Sequence, residues 1–264
     1  MENEMVKPLV LGLIFAVLPL SGLAETPEEK GLAIAKEADI RGEGFVDSIS
    51  TMEMVLKNKR GDESRRRLRV RALENQADGD LSLMIFDTPR DQKGTALLTH
   101  SHKDRSDDQW LYLPALKRVK KIASKNKSGP FVGSEFAFED LSSQEVEKYG
   151  YKWLRDEELD GKECFVMERY PVDKNSGYTR HVAWMDKAEY RTLKVDFYDR
   201  KKSLLKTLIM SEYELYNEKF WRPLNMTMKN HQTGKSTVLL FSEMAFSTGL
   251  KESDFTKNSL KRAR

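Results

Sequence analysis

Cysteine is almost missing: Cys164 is the single thiol among 264 residues. A disulfide scaffold and a cysteine-based zinc site are therefore excluded. Glycine and proline are sparse, at 15 and 8 residues, too few for a collagen-like or low-complexity chain. Neither sign of charge dominates, with 45 Lys and Arg against 42 Asp and Glu, so self-repulsion does not hold the chain open. No Gly-rich phosphate loop, Gly-x-Ser-x-Gly elbow or His-Glu-x-x-His sequence occurs, which removes the strong enzymatic signatures. What remains is 39% hydrophobic and 9% aromatic, enough to build a sizeable core by packing alone.

Met1 to Ala24 reads as a secretory signal, because Leu9 to Leu20 carries no charge and Gly22-Leu23-Ala24 offers small residues for cleavage. The apolar run is short of the roughly 20 residues of a permanent membrane helix. Residues 25–264 are expected as one mature domain outside the cytoplasm. Glu2 and Glu4 outweigh Lys7, whereas a start at Met5 would restore the usual positive flank.

Thr26-Pro27-Glu28-Glu29 has the pattern of a capping box. Leu32, Ile34, Ala35 and Ala38 then give one modest apolar helix face. Beyond Gly42 and Gly44 the period changes to two. Met52, Met54 and Leu56 alternate with Thr51, Glu53 and Val55, and Leu68 and Val70 alternate with Arg67, Arg69 and Arg71. Nine further strand-length segments follow, from Leu81–Phe86 to Thr237–Met244, giving about eleven strands joined by turns such as 58–62 and 232–235. Between them a helix-length stretch occurs only over Gly133–Tyr149. The fold class expected is mainly β (α+β), one antiparallel sheet large enough that it must curl or close to keep its apolar face out of water. Helices should cover its concave face. The insert over about 128–150, with Phe131, Phe136 and Phe138 beside acids, reads equally as a displaceable lid with Ser134 as a cap and as an ordinary core helix.

Nine methionines fall in predicted strands, where β-branched residues are usually preferred. Flexible Met surfaces adapt to ligands of variable shape, although each Met alone is also read as core filling. The expected cavity and lid set is Met52, Met54, Leu83, Ile85, Phe131, Phe136, Phe138, Phe197, Met226 and Met228. Lys117, Arg118, Lys120 and Lys121 form the densest basic run. They read either as a docking surface for anionic headgroups or an acidic partner, or as a solvated strand edge. With a secretion signal, nucleic acid is not an expected partner. His100-Ser101-His102 with Asp104, Asp107 and Asp108 nearby is a weak signal for metal or hydrolase chemistry. No catalytic residue, metal or cofactor is assigned. His181 and His231 stand alone and read as structural, and Cys164 as a buried strand residue.

Three stretches carry a family resemblance: Gly94-Thr95-Ala96-Leu97-Leu98-Thr99-His100, the run from Asp108 through Trp110-Leu111-Tyr112-Leu113-Pro114 to Ile122, and Gly133-Ser134-Glu135-Phe136 with Phe138-Glu139-Asp140-Leu141. Through them the mature chain resembles the LolA-like outer-membrane lipoprotein-sorting family, in the branch often encoded beside RND/MMPL-type exporters. The resemblance implies a half-barrel whose lidded, apolar concavity carries acyl chains of lipoprotein or lipid across the periplasm. It also implies transient membrane contact, an RND/MMPL-type inner-membrane transporter as a partner, and no catalysis. Such carriers have an Arg near the start of the barrel that touches the lid. Arg65, Arg66, Arg67 and Arg69 are all candidates here, and the sequence does not choose among them. Two other functions stay open: an adaptor or sensor for an exporter, and a lipid hydrolase using His100 and His102.

Overall fold

The computed structural model describes Met1 and residues 25–262. The leader expected over 1–24 lies, apart from Met1, outside the described residues. Thr26 caps the first helix, α1 (Pro27–Gly42), as its sequence predicts. Its Oγ1 accepts the Glu29 N–H at 3.2 Å, and the Glu29 carboxylate accepts the Thr26 N–H at 2.8 Å. Ile34 and Ala35 are buried on the face of α1 that meets the sheet, but Leu32 is largely exposed, so the apolar stripe is narrower than the sequence suggests. Gly31 is where the helix comes nearest: a Cβ there would stand 2.8 Å from the backbone nitrogen of Trp153.

Among the described residues thirteen strands follow. They are β1 (Asp47–Lys57), β2 (Glu63–Leu73), β3 (Leu81–Thr88), β4 (Ala96–His100), β5 (Asp108–Leu113), β6 (Arg118–Lys121), β7 (Tyr149–Leu159), β8 (Lys162–Pro171), β9 (Tyr178–Asp186), β10 (Thr192–Asp199), β11 (Leu204–Tyr216), β12 (Phe220–Asn230) and β13 (Ser236–Phe246). A short helix, α2 (Lys257–Arg262), ends the described chain. All strands join one antiparallel sheet in the order β6-β5-β4-β3-β2-β1-β13-β12-β11-β10-β9-β8-β7. The sheet stays open, with β6 and β7 as its two free edges. Those two edges are the strands that the count of eleven omits.

Alternation assigns the faces. Met52 and Met54 of β1 point inward, with Met52 paired to Leu68 on β2 and Phe241 on β13. Glu53 and Arg65 face outward and meet at 3.0 Å, and Arg69 reaches Asp87 at 2.9 Å. Exposed pairs of this kind contribute little individually and mainly keep the convex face wet. The main core runs along the concave side, from Leu68, Phe86 and Leu97 through Met52 and Met54 to Leu208 and Met228.

Two smaller clusters lie on the other face. Leu81, Leu83, Ile85, Ala96, Leu98 and Trp110 are covered by Phe255 and by Leu260 of α2. Cys164 packs with Val166, Val182, Trp184 and Leu193, where burial raises its thiol pKa. The insert between β6 and β7 differs from its expected form. It folds as short 3-10 turns, including Phe131–Gly133, Phe138–Leu141 and Val146–Lys148, with no α-helix, and Ser134 closes the first of these at its C-terminal end rather than opening a helix. Among the described residues no helix is long and apolar enough to cross a membrane.

Candidate functional site

The concave face has two halves. Over β1 to β6 and the facing ends of β11 to β13 the insert fills it: Phe131 packs at a tilt on Phe86 with ring centroids 5.7 Å apart and meets Phe138 edge-on at 5.7 Å. Phe131, Phe136, Phe138 and Leu141 thereby join the core that contains Met52, Met54 and Met228. Polar side chains from many strands hold this lid by its backbone. Arg66 on β2 donates to the Val132 carbonyl at 2.5 Å, and Gln109 on β5 donates to that of Phe138 at 2.8 Å. Lys206 on β11 donates to the Glu135 carbonyl at 2.9 Å and to the Asp140 carboxylate at 2.6 Å. Tyr178 gives its phenolic proton to the other Asp140 oxygen at 2.8 Å, and Asn230 reaches Glu135 at 2.7 Å. Of the four arginines left open by the sequence, Arg66 is hydrogen-bonded to the insert. Burial lowers its pKa, with Asp91 as the offsetting charge.

Over β7 to β12 the concave face is hollow. A cavity of about 810 Å³ lies between the sheet, α1 and the end of the lid. Its apolar wall is built from Met167, Met185, Val195, Leu208, Met210 and Met226, and Ala35 and Ala38 of α1 form part of its rim. Tyr149, Tyr151, Arg169, Tyr178 and His181 form a polar end near the lid. His181 is only 3% exposed. Burial, together with the charges of Arg169 and Lys206, holds its pKa well below the ordinary value, so the ring is neutral. Burial also pushes the Tyr149 phenol up to about 12. Acids gather at the mouth. Asp39 is raised to about 6 by burial and by the charges of Glu43 and Glu145. Asp80 reaches about 6 for the same first reason, with Glu145 and Glu74 adding to it. Such a chamber suits a guest with a hydrocarbon body and a polar end; the groups around it do not form a nucleophile and base pair.

The expected residues separate into three places. Phe136, Phe197 and Met226 line the cavity. Met52, Met54, Phe131, Phe138 and Met228 lie in the filled part of the concave core. Leu83 and Ile85 are corrected: they point to the convex face and pack beneath the C-terminal segment. Their neighbours Met84 and Phe86 are the inward members of β3, since the side-chain period of a strand is two.

The basic run forms the turn before β6 and β6 itself. Lys117, Arg118, Lys120 and Lys121 are all exposed, and Lys121 also pairs with Asp108 at 2.6 Å. His100 and His102 line one shallow pocket but are held by different partners. His100 Nε2 lies 2.7 Å from the Phe255 carbonyl, whereas His102 sits between Asp78 at 2.5 Å and Asp108 at 3.4 Å. Among the described residues no group of His, Cys, Asp and Glu is arranged to hold a metal ion. Sequence reasoning missed Arg169, Tyr149 and Tyr151, and set His181 aside. The available signal was the inward series His181, Ala183 and Met185 on β9.

A family model described as an uncharacterized protein matches residues 78–262. A domain from Vibrio parahaemolyticus named for outer-membrane lipoprotein sorting is 60% identical, covers 89% of this chain and 100% of its own, and superposes with a TM-score of 0.88. A DUF1329 family protein from Desulfovibrio piger is 29% identical over 89% of this chain and 99% of its own, with a TM-score of 0.84. A LolA superfamily protein from Nitrosomonas europaea shares the fold, with 21% identity over 87% and 98% of the two chains and a TM-score of 0.71. No curated protein matches. Identity at this level, over nearly all of the solved domain, means that the chain belongs to the outer-membrane lipoprotein-sorting protein family and carries the LolA-like fold.

Proposed function

We propose that the protein is a periplasmic carrier that shields acyl chains of lipoprotein or lipid in its concave cavity and exchanges them with membrane partners. The observation that carries this reading is the 810 Å³ chamber walled by flexible Met167, Met185, Met210 and Met226 in an unclosed sheet. One chain of about 16 methylenes, each taking roughly the 30 Å³ of a liquid water, occupies about 480 Å³, so it fits with room to spare. Burying it yields about 13 kcal/mol gross at roughly 0.8 kcal/mol per methylene, below the practical ceiling of noncovalent affinity, and the cargo stays transferable. Membrane contact would be transient, through the exposed Lys117, Arg118 and Lys120. An RND/MMPL-type inner-membrane transporter is the proposed partner that supplies directionality. The 60% identity to a domain named for lipoprotein sorting supports a lipoprotein as cargo.

Native mass spectrometry of protein purified without detergent tests the reading. The wild type should retain a species in the lipid mass range. Val195→Phe, which adds bulk into the hollow, should lose most of that species while its melting temperature holds. Equal retention by both proteins would count against the cavity as the cargo site.

A further inference from the structure

One line of residues crosses the sheet at the lid end of the cavity. Register pairs Tyr151 with Arg169, Arg169 with His181, His181 with Phe197, Phe197 with Lys206, and Lys206 with Asn230. The next line in the same face is apolar: Trp153, Met167, Ala183, Val195, Leu208 and Met228. The concave face of this half is therefore amphipathic, polar beside the lid and greasy beyond it.

Of the polar members, Lys206 and Asn230 are consumed by the lid residues Glu135 and Asp140. Arg169 and His181 are not. Both ring nitrogens of His181 are buried without a hydrogen-bond partner, and so is Nε of Arg169. Rings enclose the imidazole: its centroid lies 4.6 Å from Phe197, 5.0 Å from Tyr178 and 5.6 Å from Tyr149. The guanidinium of Arg169 lies 5.8 Å from the Tyr149 ring centroid, and among the described residues no carboxylate forms an ion pair with it. Two acids of the insert that line the cavity are engaged elsewhere, Asp140 with Lys206 and Tyr178, and Glu139 with Ser176 and the Gly177 amide. Buried polar groups are normally paired, and an uncompensated cation beside an unpaired imidazole in a cavity wall is arranged for an acceptor that arrives with a ligand.

We propose that Arg169 and His181 form a head-group subsite for a single-chain amphiphile with an anionic oxygen head, carboxylate or phosphate, whose tail lies along Met167, Val195, Leu208 and Met226. Arg169 supplies charge-assisted N–H donors to the anionic oxygens, and the neutral His181 turns its N–H to the same head. This assignment deepens the carrier reading and rests on it.

The test uses delipidated full-length mature protein, a fluorescent polyene fatty acid, and the polyene alcohol of equal chain length. The wild type should bind the acid about tenfold or more tightly than the alcohol, the range expected of a hydrogen bond to a charged group. Arg169→Met should bring that ratio near one, and Arg169→Lys should restore part of it. His181→Phe should lower the ratio less than Arg169→Met. Competition then separates the head groups. Displacement of the polyene acid by a single-chain lysophosphatidic acid, with inorganic phosphate inert, assigns phosphate heads as well. Failure of the lysolipid restricts the subsite to carboxylate. Displacement by inorganic phosphate as effective as by the lysolipid overturns the amphiphile. Equal affinity of the wild type for acid and alcohol overturns the subsite and leaves the carrier standing. Binding of neither probe removes both.

Discussion

Lys206 and Asp140 meet at 2.6 Å with side chains only 4% and 6% exposed, so the lid is tied to the sheet by an ion pair out of water. Removing one partner leaves the other charged and stranded. Lys206→Met should cost about 3–5 kcal/mol in chemical denaturation. Lys206→Met combined with Asp140→Asn should recover more than half of that loss, because the amide oxygen still accepts the Ala137 N–H and the amide nitrogen can donate to the Tyr178 hydroxyl oxygen. A double variant as unstable as the single one would show that the pair does not act as a unit.

Arg66 behaves differently, because among the described residues no carboxylate pairs with it directly, Asp91 acting only at longer range, and its Nε is unpaired, while one N–H holds Val132. Arg66→Met removes a latch and a desolvated cation together. Global stability should change by less than about 1 kcal/mol. Amide exchange across Phe131–Phe136 should rise by about tenfold. Exchange that stays at the wild-type rate would mean that the latch contributes nothing to closure.

Two opposing titrations shape stability between pH 7.5 and 5. Asp80, raised to about 6, contributes stability that is fully present below the ordinary carboxylate value and lost as pH rises through about 6. His181, held well below its usual value, contributes stability present above about 6.5 and lost as pH falls. Relative to the wild type, Asp80→Asn should therefore reduce the stability gained on acidification from pH 7.5 to 5, and His181→Phe should enlarge it. Urea titrations at the two pH values read both differences, and a shared sign would contradict the assignment.

The basic edge predicts salt-dependent docking. Replacing Lys117, Arg118 and Lys120 together with Gln should weaken binding to vesicles rich in anionic lipid by about a hundredfold, at roughly 1 kcal/mol per basic residue. Binding to neutral vesicles should not change. An equal loss on both surfaces would place the membrane contact elsewhere. Lys121 is left out because its ion pair with Asp108 ties it to the fold.

Much of this architecture was legible. The capping box at Thr26, the alternation through Met52 and Met54, and the turns at 58–62 and 232–235 follow from local chemistry, with Gly61 and Gly234 at positive φ inside those turns. The omitted strands β6 and β7 have no fully buried residue, because an edge strand presents weak alternation and many charges. Leu83 and Ile85 were placed on the wrong face for the opposite reason. Leu81-Ser82-Leu83-Met84-Ile85-Phe86 is apolar on both faces, one under the lid and one under α2, so period two cannot choose between them. The insert looked like a helix by length, but its phenylalanines and latching acids serve a fixed irregular path that local periodicity does not encode. Arg169 and His181 escaped notice because their significance depends on a cross-strand pairing between two different strands.

The strand order carries one more consequence. Sheet neighbours are consecutive in sequence everywhere except where β1 meets β13. Scission anywhere in the insert between Lys121 and Tyr149 would break no inter-strand ladder, and the two pieces would stay zipped along that central seam, with α1 and α2 each reaching across to the other piece. The molecule is thus a natural candidate for split-fragment complementation, in which two separately expressed halves reconstitute the whole.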